Sequence, residues 1–297
     1  MTQQIPATRR RELAGLDLYD RTAQDAAATV IAGYSTSFGL ACRLLGARPR
    51  PHVRNVYALV RVADEIVDGA ATAAGLTPEL ARTVLDGLEI DTLEAIERGF
   101  SANLVVHAFA RTARECGIGA DLVRPFFASM RTDLTTAHHD AASHDAYVYG
   151  SAEVVGLMCL QVFVNAGAQH PITPDAGLVD GARRLGAAFQ DVNFLRDLEH
   201  DETALGRDYL GVGENAATRT QVLDRIDGDL AAAAATIPRL PADCRRAVTA
   251  AHDLFAELSA RLRRSTPDQA RVRVPDAVKA RLAARALLGF GPRDSRA

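Results

Sequence analysis

A helix predicted over residues 51–69 constrains the fold most, because two of its acids lie on the side that should be buried. At about 100° per residue, Tyr57 and Val60 share one apolar stripe. Asp64 lies on the same stripe, and Asp68 follows one turn later. Because burying an unpaired carboxylate is costly, two inward acids need a partner, most simply a bound cation. The alternative is a surface helix whose phase is misjudged.

A second acidic pair lies in a helix predicted to end near residue 200. Gln190, Asn193, Asp197 and Asp201 step by three and four residues and form one polar stripe. Their oxygen donors suit a hard cation such as Mg²⁺, which takes its remaining ligands from water and phosphate oxygens. The two pairs therefore predict a diphosphate ligand. Candidate cations to neutralise that ligand are Arg61, Arg207, Arg271 and Lys279.

The composition is that of a soluble, almost entirely helical protein. The 297 residues are 48% hydrophobic and 24% charged, rich in Ala, Leu and Arg, and poor in strand-type alternation. A net charge of −3 and 5% aromatic residues argue against nucleic acid as a partner. We expect one helical domain over residues 21–290, with a polar, frayed start (1–20) and a short tail (291–297).

The apolar and cysteine patterns predict a cytoplasmic protein. The segment Val154–Ala168 is apolar on most sides and too short to span a bilayer, so we expect a buried central helix. No signal peptide is evident, and four scattered cysteines without a CxxC pair suit reduced thiols. Peripheral membrane contact stays open. His138, His139 and His144 lack metal-ligand spacing and are expected in a solvated loop.

Four blocks of sequence together resemble the head-to-head prenyl synthases, the family of phytoene, squalene and dehydrosqualene synthases. The blocks are 35–45, 57–68, 147–156 and 190–210. The resemblance implies an all-α, isoprenoid-synthase-type bundle with a central cavity, acting on prenyl diphosphates.

The resemblance also implies roles for individual residues. The metal, Mg²⁺ or in its place Mn²⁺, would be held by Asp64, Asp68, Asn193, Asp197 and Asp201. The four aspartates would act in catalysis with Arg61 and Tyr57. The substrate sites would be lined by Ser35, Ser37, Phe38, Cys42, Tyr147, Val155, Gln190, Asn193, Arg207, Arg271 and Lys279.

The product is predicted from weaker signals. Cys42 lies one turn beyond Phe38, and a small side chain facing the cavity would leave room for a C20 chain. No glycine-rich nucleotide motif is visible, so we expect no NADPH and favour phytoene made from two geranylgeranyl diphosphates. Glu153 and Phe255 depart from the family pattern and leave the product open. The alternatives are squalene or dehydrosqualene from farnesyl diphosphate, prenylation of an aromatic acceptor, and a non-catalytic helical binding protein. The oligomeric state is not predicted.

Overall fold

The computed structural model describes residues 15–35, 37–135, 141–200, 216–265 and 272–293, and these segments contain helices and no strands. The helices are α1 (Leu16–Tyr34), α2 (Ser37–Arg43), α3 (Arg50–Val67), α4 (Ala70–Ala73), α5 (Pro78–Arg98), α6 (Leu104–Cys116), α7 (Ala120–Thr132), α8 (Ala141–Val148), α9 (Val154–Asn165), α10 (Ala176–His200), α11 (Ala216–Thr236), α12 (Ala242–Arg264) and α13 (Asp276–Leu287). A π-helical turn, Tyr149–Glu153, joins α8 to α9, and a 3₁₀ turn, Ile237–Arg239, follows α11. The all-α class is as predicted.

Two helix boundaries differ from the sequence prediction. Helix α1 begins at Leu16, ahead of the expected boundary at residue 20, because Asp20 is buried and lies 2.7 Å from the Nε2 of His107. The sequence pattern also predicts separate helices over 76–90 and 92–116, but α5 continues unbroken to Arg98, and Gly99 ends it at φ 83°. Asn103 then caps α6 by accepting from two backbone N–H groups.

The core consists of two large apolar clusters. One is shared by α3, α5, α6, α7 and α9 and contains the fully buried Phe109 and Phe127. The other is shared by α10, α11 and α12 and contains the fully buried Ile226 and Leu230. The first acidic motif thus lies on α3, a helix of the first cluster, and Gln190, Asn193 and Asp197 of the second motif lie on α10, a helix of the second cluster.

Two glycines allow close contact between the helices of the first cluster and those of the second. A Cβ on Gly156 would lie 2.6 Å from the carbonyl oxygen of Ala182, and one on Gly186 would lie 2.6 Å from that of Ala152. Real Cβ atoms do not approach backbone oxygens so closely, so only glycine allows these helices to touch. The π turn therefore lies directly against α10. Such π-bulges are frequent at functional sites.

One helical stretch among the described residues, Ser143–Asn165, is long and apolar enough to cross a membrane by length and composition. It is longer than the apolar segment singled out in the sequence, because the helix continues through the π turn. Helices α3, α6, α7 and α10 all contact its α9 portion. Such surroundings are typical of the central helix of a helical bundle. A central helix of this kind also meets the criterion of length and apolar composition for a membrane span.

Arg48 holds the C-terminal end of α9 in place. Its guanidinium donates to the carbonyl oxygens of Phe163 (2.9 Å) and Ala166 (2.8 Å) and to the carboxylate of Asp243 (2.9 Å). We expect Arg48→Met to lower the free energy of unfolding by about 2 kcal/mol, since charged hydrogen bonds in a half-buried position are lost. Urea denaturation measures this change. Arg82→Met, at an exposed arginine of α5, is the matched control and should leave stability unchanged; equal losses would contradict this role of Arg48.

Candidate active site

Three acids lie near one another at the C-terminal end of α3. Asp64 is half-buried on α3, Asp68 caps the end of that helix at the surface, and Asp133 follows α7. Burial and the negative charge of Asp68 raise the pKa of Asp64 to about 7, with a further contribution from Asp133, whereas Arg61 opposes the shift. The acids therefore form a region of excess negative charge that a cation would stabilise.

Asp133 is a site residue that the sequence analysis missed. It is buried, and its Oδ2 accepts a hydrogen bond of 2.9 Å from the hydroxyl of Tyr147. The signal was available, because Phe126 and Met130 precede Asp133 at helical spacing and are buried. An acid continuing an apolar helical stripe is the same pattern that singled out Asp64.

Tyr147 connects this acidic group to the second half of the molecule. Its ring centroid lies 5.9 Å from that of Phe194 on α10, while its hydroxyl reaches Asp133 on the other side. Phe194 lies next to Asn193 and one turn before Asp197. The predicted substrate residue Tyr147 therefore stands between the two acidic motifs.

Arg61 and Tyr57 lie on the same side of α3. The guanidinium of Arg61 lies 4.5 Å above the ring of Tyr34 and is paired with Glu65. Its Nε is buried and has no hydrogen-bond partner among the described residues. The hydroxyl of Tyr57 is hydrogen-bonded to Ser35, and burial raises the pKa of Tyr57. Arg61 thus retains a donor for an anionic ligand.

The second motif is only partly described. Gln190 and Asn193 are half-buried on α10, as their predicted role requires. Asp197 is paired with Arg196 at 2.6 Å and 3.0 Å. The side chain of Ser37 and the whole of Asp201, Arg207 and Arg271 lie outside the described residues, as do His138 and His139.

His144 is not in a solvated loop, which corrects the sequence prediction. It lies on α8, is buried, and its Nε2 is 3.2 Å from Oδ1 of the buried Asp191 on α10. The other oxygen of Asp191 accepts from Arg225 of α11 at 2.8 Å and 3.0 Å. This buried polar cluster joins three helices beside Tyr147, and Asp191, a position within the second motif, therefore serves packing.

The start of α2 lies in an aromatic cluster. Phe38 packs against Phe189 and Phe255 with centroids 6.1 Å and 6.0 Å away, and the latter two rings stack at 3.8 Å. Phe38 and Lys279 border the same small apolar pocket between α2, α12 and α13. The ammonium of Lys279 is 3.0 Å from Asp276.

Cys42 differs from the prediction. Only 5% of it is exposed, and it packs in a core cluster with Ile31, Leu45 and Cys244, so it does not leave an open space. The argument from Cys42 for a C20 chain is therefore wrong. The prediction failed because helical phase alone does not tell which neighbour covers a small side chain.

The apolar interior around α9 is not fully packed. Val155, Leu157 and Cys159 keep accessible surface although four helices surround α9. Burial raises the pKa of the Cys159 thiol to about 12. Space between the helices, as expected for a hydrocarbon site, explains both observations.

The donor set fits a hard cation shared with a diphosphate. Among the described residues, no three His, Cys, Asp or Glu side chains lie close enough to hold a metal by themselves. Mg²⁺ is not normally held in such a cage, since it binds one or two carboxylates, water and substrate phosphates. The repelling Asp64 and Asp68 and the unsatisfied Nε of Arg61 suit that arrangement.

Comparison with known proteins identifies the class. The squalene/phytoene synthase family model matches residues 31–278. The 15-cis-phytoene synthase of Paracoccus sp. is 27% identical over 280 residues, covering 86% of each chain. That of Synechocystis sp. is 34% identical over 186 residues, covering 61% of this chain and 53% of the relative. A solved dehydrosqualene synthase has the same fold, with a TM-score of 0.75 at 22% identity over 92% of this chain and 99% of that structure.

The fold and the matches define a helical prenyltransferase that joins prenyl groups head to head. The chain belongs to the squalene/phytoene synthase family.

The contact between Tyr147 and Asp133 predicts a measurable effect. We expect Tyr147→Phe to lower turnover of prenyl diphosphate about tenfold or more, because it removes the hydrogen bond to a buried carboxylate beside Asp64. Steady-state assays at saturating metal measure this. Tyr149→Phe is the matched control, since the Tyr149 ring packs under Arg183 on the π turn. If both variants keep full activity, the hydrogen bond has no functional role.

Proposed function

We propose that the protein condenses two geranylgeranyl diphosphates head to head to give phytoene, in carotenoid biosynthesis. The observation that carries the proposal is the acidic group of Asp64, Asp68 and Asp133 at the end of α3, which Tyr147 links to the second motif on α10. The choice of a C20 substrate is supported by the relatives from Paracoccus and Synechocystis, which are phytoene synthases.

We assign the metal to Asp64, Asp68, Asn193, Asp197 and Asp201. When bound, Mg²⁺ would withdraw charge from a leaving diphosphate and so favour its departure. Arg61 would add a guanidinium donor through the Nε that has no protein partner. Arg196 would have to release Asp197, and the arriving diphosphate offers it an alternative anion.

The remaining residues would orient and protect the hydrocarbon chains. Tyr57 and Ser35, hydrogen-bonded to each other, would border the diphosphate end of one substrate, with Tyr147 and Gln190 bordering the other. The apolar surface around Val155 and Phe38 would exclude water, which would otherwise capture an allylic cation. We place Ser37, Arg207, Arg271 and Lys279 in the substrate sites on the resemblance alone.

The reaction balances without a reductant. The first substrate loses diphosphate, its C1 alkylates the double bond of the second, and loss of a proton closes a cyclopropylcarbinyl diphosphate. That intermediate loses the second diphosphate, rearranges, and loses a second proton to give the central double bond of phytoene. Two diphosphates and two protons therefore leave for each C40 hydrocarbon, and NADPH is not required.

Product analysis tests the proposal. Purified protein is incubated with Mg²⁺ and geranyl, farnesyl or geranylgeranyl diphosphate, with and without NADPH and aromatic acceptors. We expect a C40 hydrocarbon from the C20 diphosphate alone. A C30 hydrocarbon made only from farnesyl diphosphate, or a prenylated aromatic compound as the only product, would contradict it.

We further propose that the reaction takes place in the cytoplasm at a membrane surface. A C40 hydrocarbon is insoluble in water, so its release needs a lipid phase close to the enzyme. This location follows from the proposed product.

A further inference from the structure

The end of α13 exposes an unusual concentration of large apolar side chains. Leu287 is 49% exposed, Leu288 76% and Phe290 56%, all within four residues. Helix α13 packs mainly on α12, through Leu282, Ala283 and Ala286, so its outer side has no covering helix among the described residues. Three protruding apolar side chains in one place are typical of an interaction surface.

Arginines surround these apolar side chains. Arg281, Arg285 and Arg293 border one open pocket, and of these only Arg293 has an ion-pair partner within the described chain, Glu257 at 3.1 Å. The Nε of Arg285 is buried and lacks a hydrogen-bond partner there. Its guanidinium lies 5.2 Å over the ring of Phe290. We call these arginines, together with Leu287, Leu288 and Phe290, the C-terminal patch.

The charge of the C-terminal patch selects the class of partner. Arg281 and Arg285 have no carboxylate partner among the described residues, and Arg293 shares Glu257 with Arg261, in a protein whose overall charge is −3. Guanidinium groups bind phosphate oxygens in a bidentate way, so the local excess of positive charge suits phosphate anions. If the ligand were a free anion, the adjacent leucines and phenylalanine would stay exposed to water. If it were a phospholipid bilayer, the acyl layer would bury them.

We propose that the C-terminal patch binds the surface of an anionic phospholipid bilayer. Arg281, Arg285 and Arg293 contact headgroup phosphates, and Leu288 and Phe290 enter the boundary between headgroups and acyl chains. The inference rests on the proposed function in one respect, since it supplies the lipid phase that takes up a hydrocarbon product. Each arginine near an anionic surface strengthens binding about fivefold, so binding is reversible and sensitive to salt.

Vesicle sedimentation with the purified full chain tests the proposal. Binding is measured to phosphatidylcholine vesicles with and without phosphatidylglycerol. We expect binding only with the anionic lipid, weakened by added salt. The double variant Arg281→Gln/Arg285→Gln should bind about 25-fold more weakly, two factors of about five, and Leu288→Ser/Phe290→Ser should also lose binding.

Matched controls separate the patch from general surface effects. Arg82→Gln/Arg124→Gln removes two exposed arginines of α5 and α7, and Ile172→Ser removes an apolar side chain that is 63% exposed. These variants should bind vesicles within twofold of the unchanged protein. Thermal unfolding establishes that every variant is folded.

Several results would overturn the proposal. They are no binding to anionic vesicles, whether or not inorganic phosphate binds, and equal losses in the control variants. A change in oligomeric state on light scattering, with vesicle binding unaffected by the patch variants, would assign the patch to a second copy. Activity on geranylgeranyl diphosphate in detergent should be unchanged in the patch variants. Vesicle binding without any C40 product in that assay would contradict the proposed function and leave the patch intact.

Discussion

Replacing Asp64 with asparagine should lower the rate of diphosphate release about 1,000-fold while leaving the protein at least as stable. Asparagine keeps the size of the side chain but removes a charged metal ligand, and losses of this size follow removal of one stabilising group at a reacting centre. Stability does not fall, because the Asp64 carboxylate is desolvated and repelled by Asp68 and Asp133. Diphosphate release and urea denaturation at pH 8 measure the two effects.

The sign of the stability effect follows from linkage. A carboxyl whose pKa is raised on folding, here to about 7, favours folding in its protonated form, so the carboxylate costs stability as the pH rises from about 4 through 7. Asp64→Asn removes that cost at pH 8. Asp25→Asn, at an exposed acid of α1 that pairs with Arg21, is the control and should change neither quantity strongly. An active Asp64→Asn variant would mean that the first motif does not hold the diphosphate.

Gly186→Ala, on α10, should be strongly damaging although it adds only one methyl group. Its Cβ would lie 2.6 Å from the carbonyl oxygen of Ala152 and 3.1 Å from Cα of Glu153, so α10 must move away from the π turn. We expect the free energy of unfolding to fall by about 3 kcal/mol. We also expect turnover to fall about 100-fold, because Gln190 and Asn193 move with α10 and small displacements of positioning groups are costly.

Gly228→Ala provides the opposite case on a neighbouring helix. A Cβ at Gly228, in the interior of α11, meets no atom within 4 Å. Alanine is the better helix former, so we expect a gain of about 0.5–1 kcal/mol with activity unchanged. Urea denaturation and steady-state assays compare the two variants. If Gly186→Ala behaves like Gly228→Ala, the close contact of α10 with the π turn is not required.

Periodicity predicted much of the fold and the inward direction of Asp64. The all-α class, the position of α3 and the central place of α9 follow from apolar spacing and from start and stop residues, which act locally. The same phase argument would have found Asp133, whose stripe of Phe126 and Met130 is equally clear. Asp133 has no second acid one turn away, so it lacks the paired spacing of Asp64 and Asp68.

Contacts between segments that are distant in sequence could not be predicted from residue spacing. The pairing of His144 with Asp191 depends on how α8 crosses α10, and the covering of Cys42 depends on Cys244 of α12. The π turn also follows from the tight packing of Gly150, whose Cβ would lie 2.4 Å from the carbonyl oxygen of Pro125. These features are set by tertiary packing, which single-sequence spacing does not encode.

The ratio of diphosphate to hydrocarbon tests the central claim most directly. Purified protein with Mg²⁺ and geranylgeranyl diphosphate as sole substrate is followed for released diphosphate and for C40 hydrocarbon in the same reaction. Condensation of two C20 units predicts two diphosphates for each phytoene, with no NADPH added. One diphosphate for each prenylated product, or diphosphate release without any C40 hydrocarbon, would contradict the account.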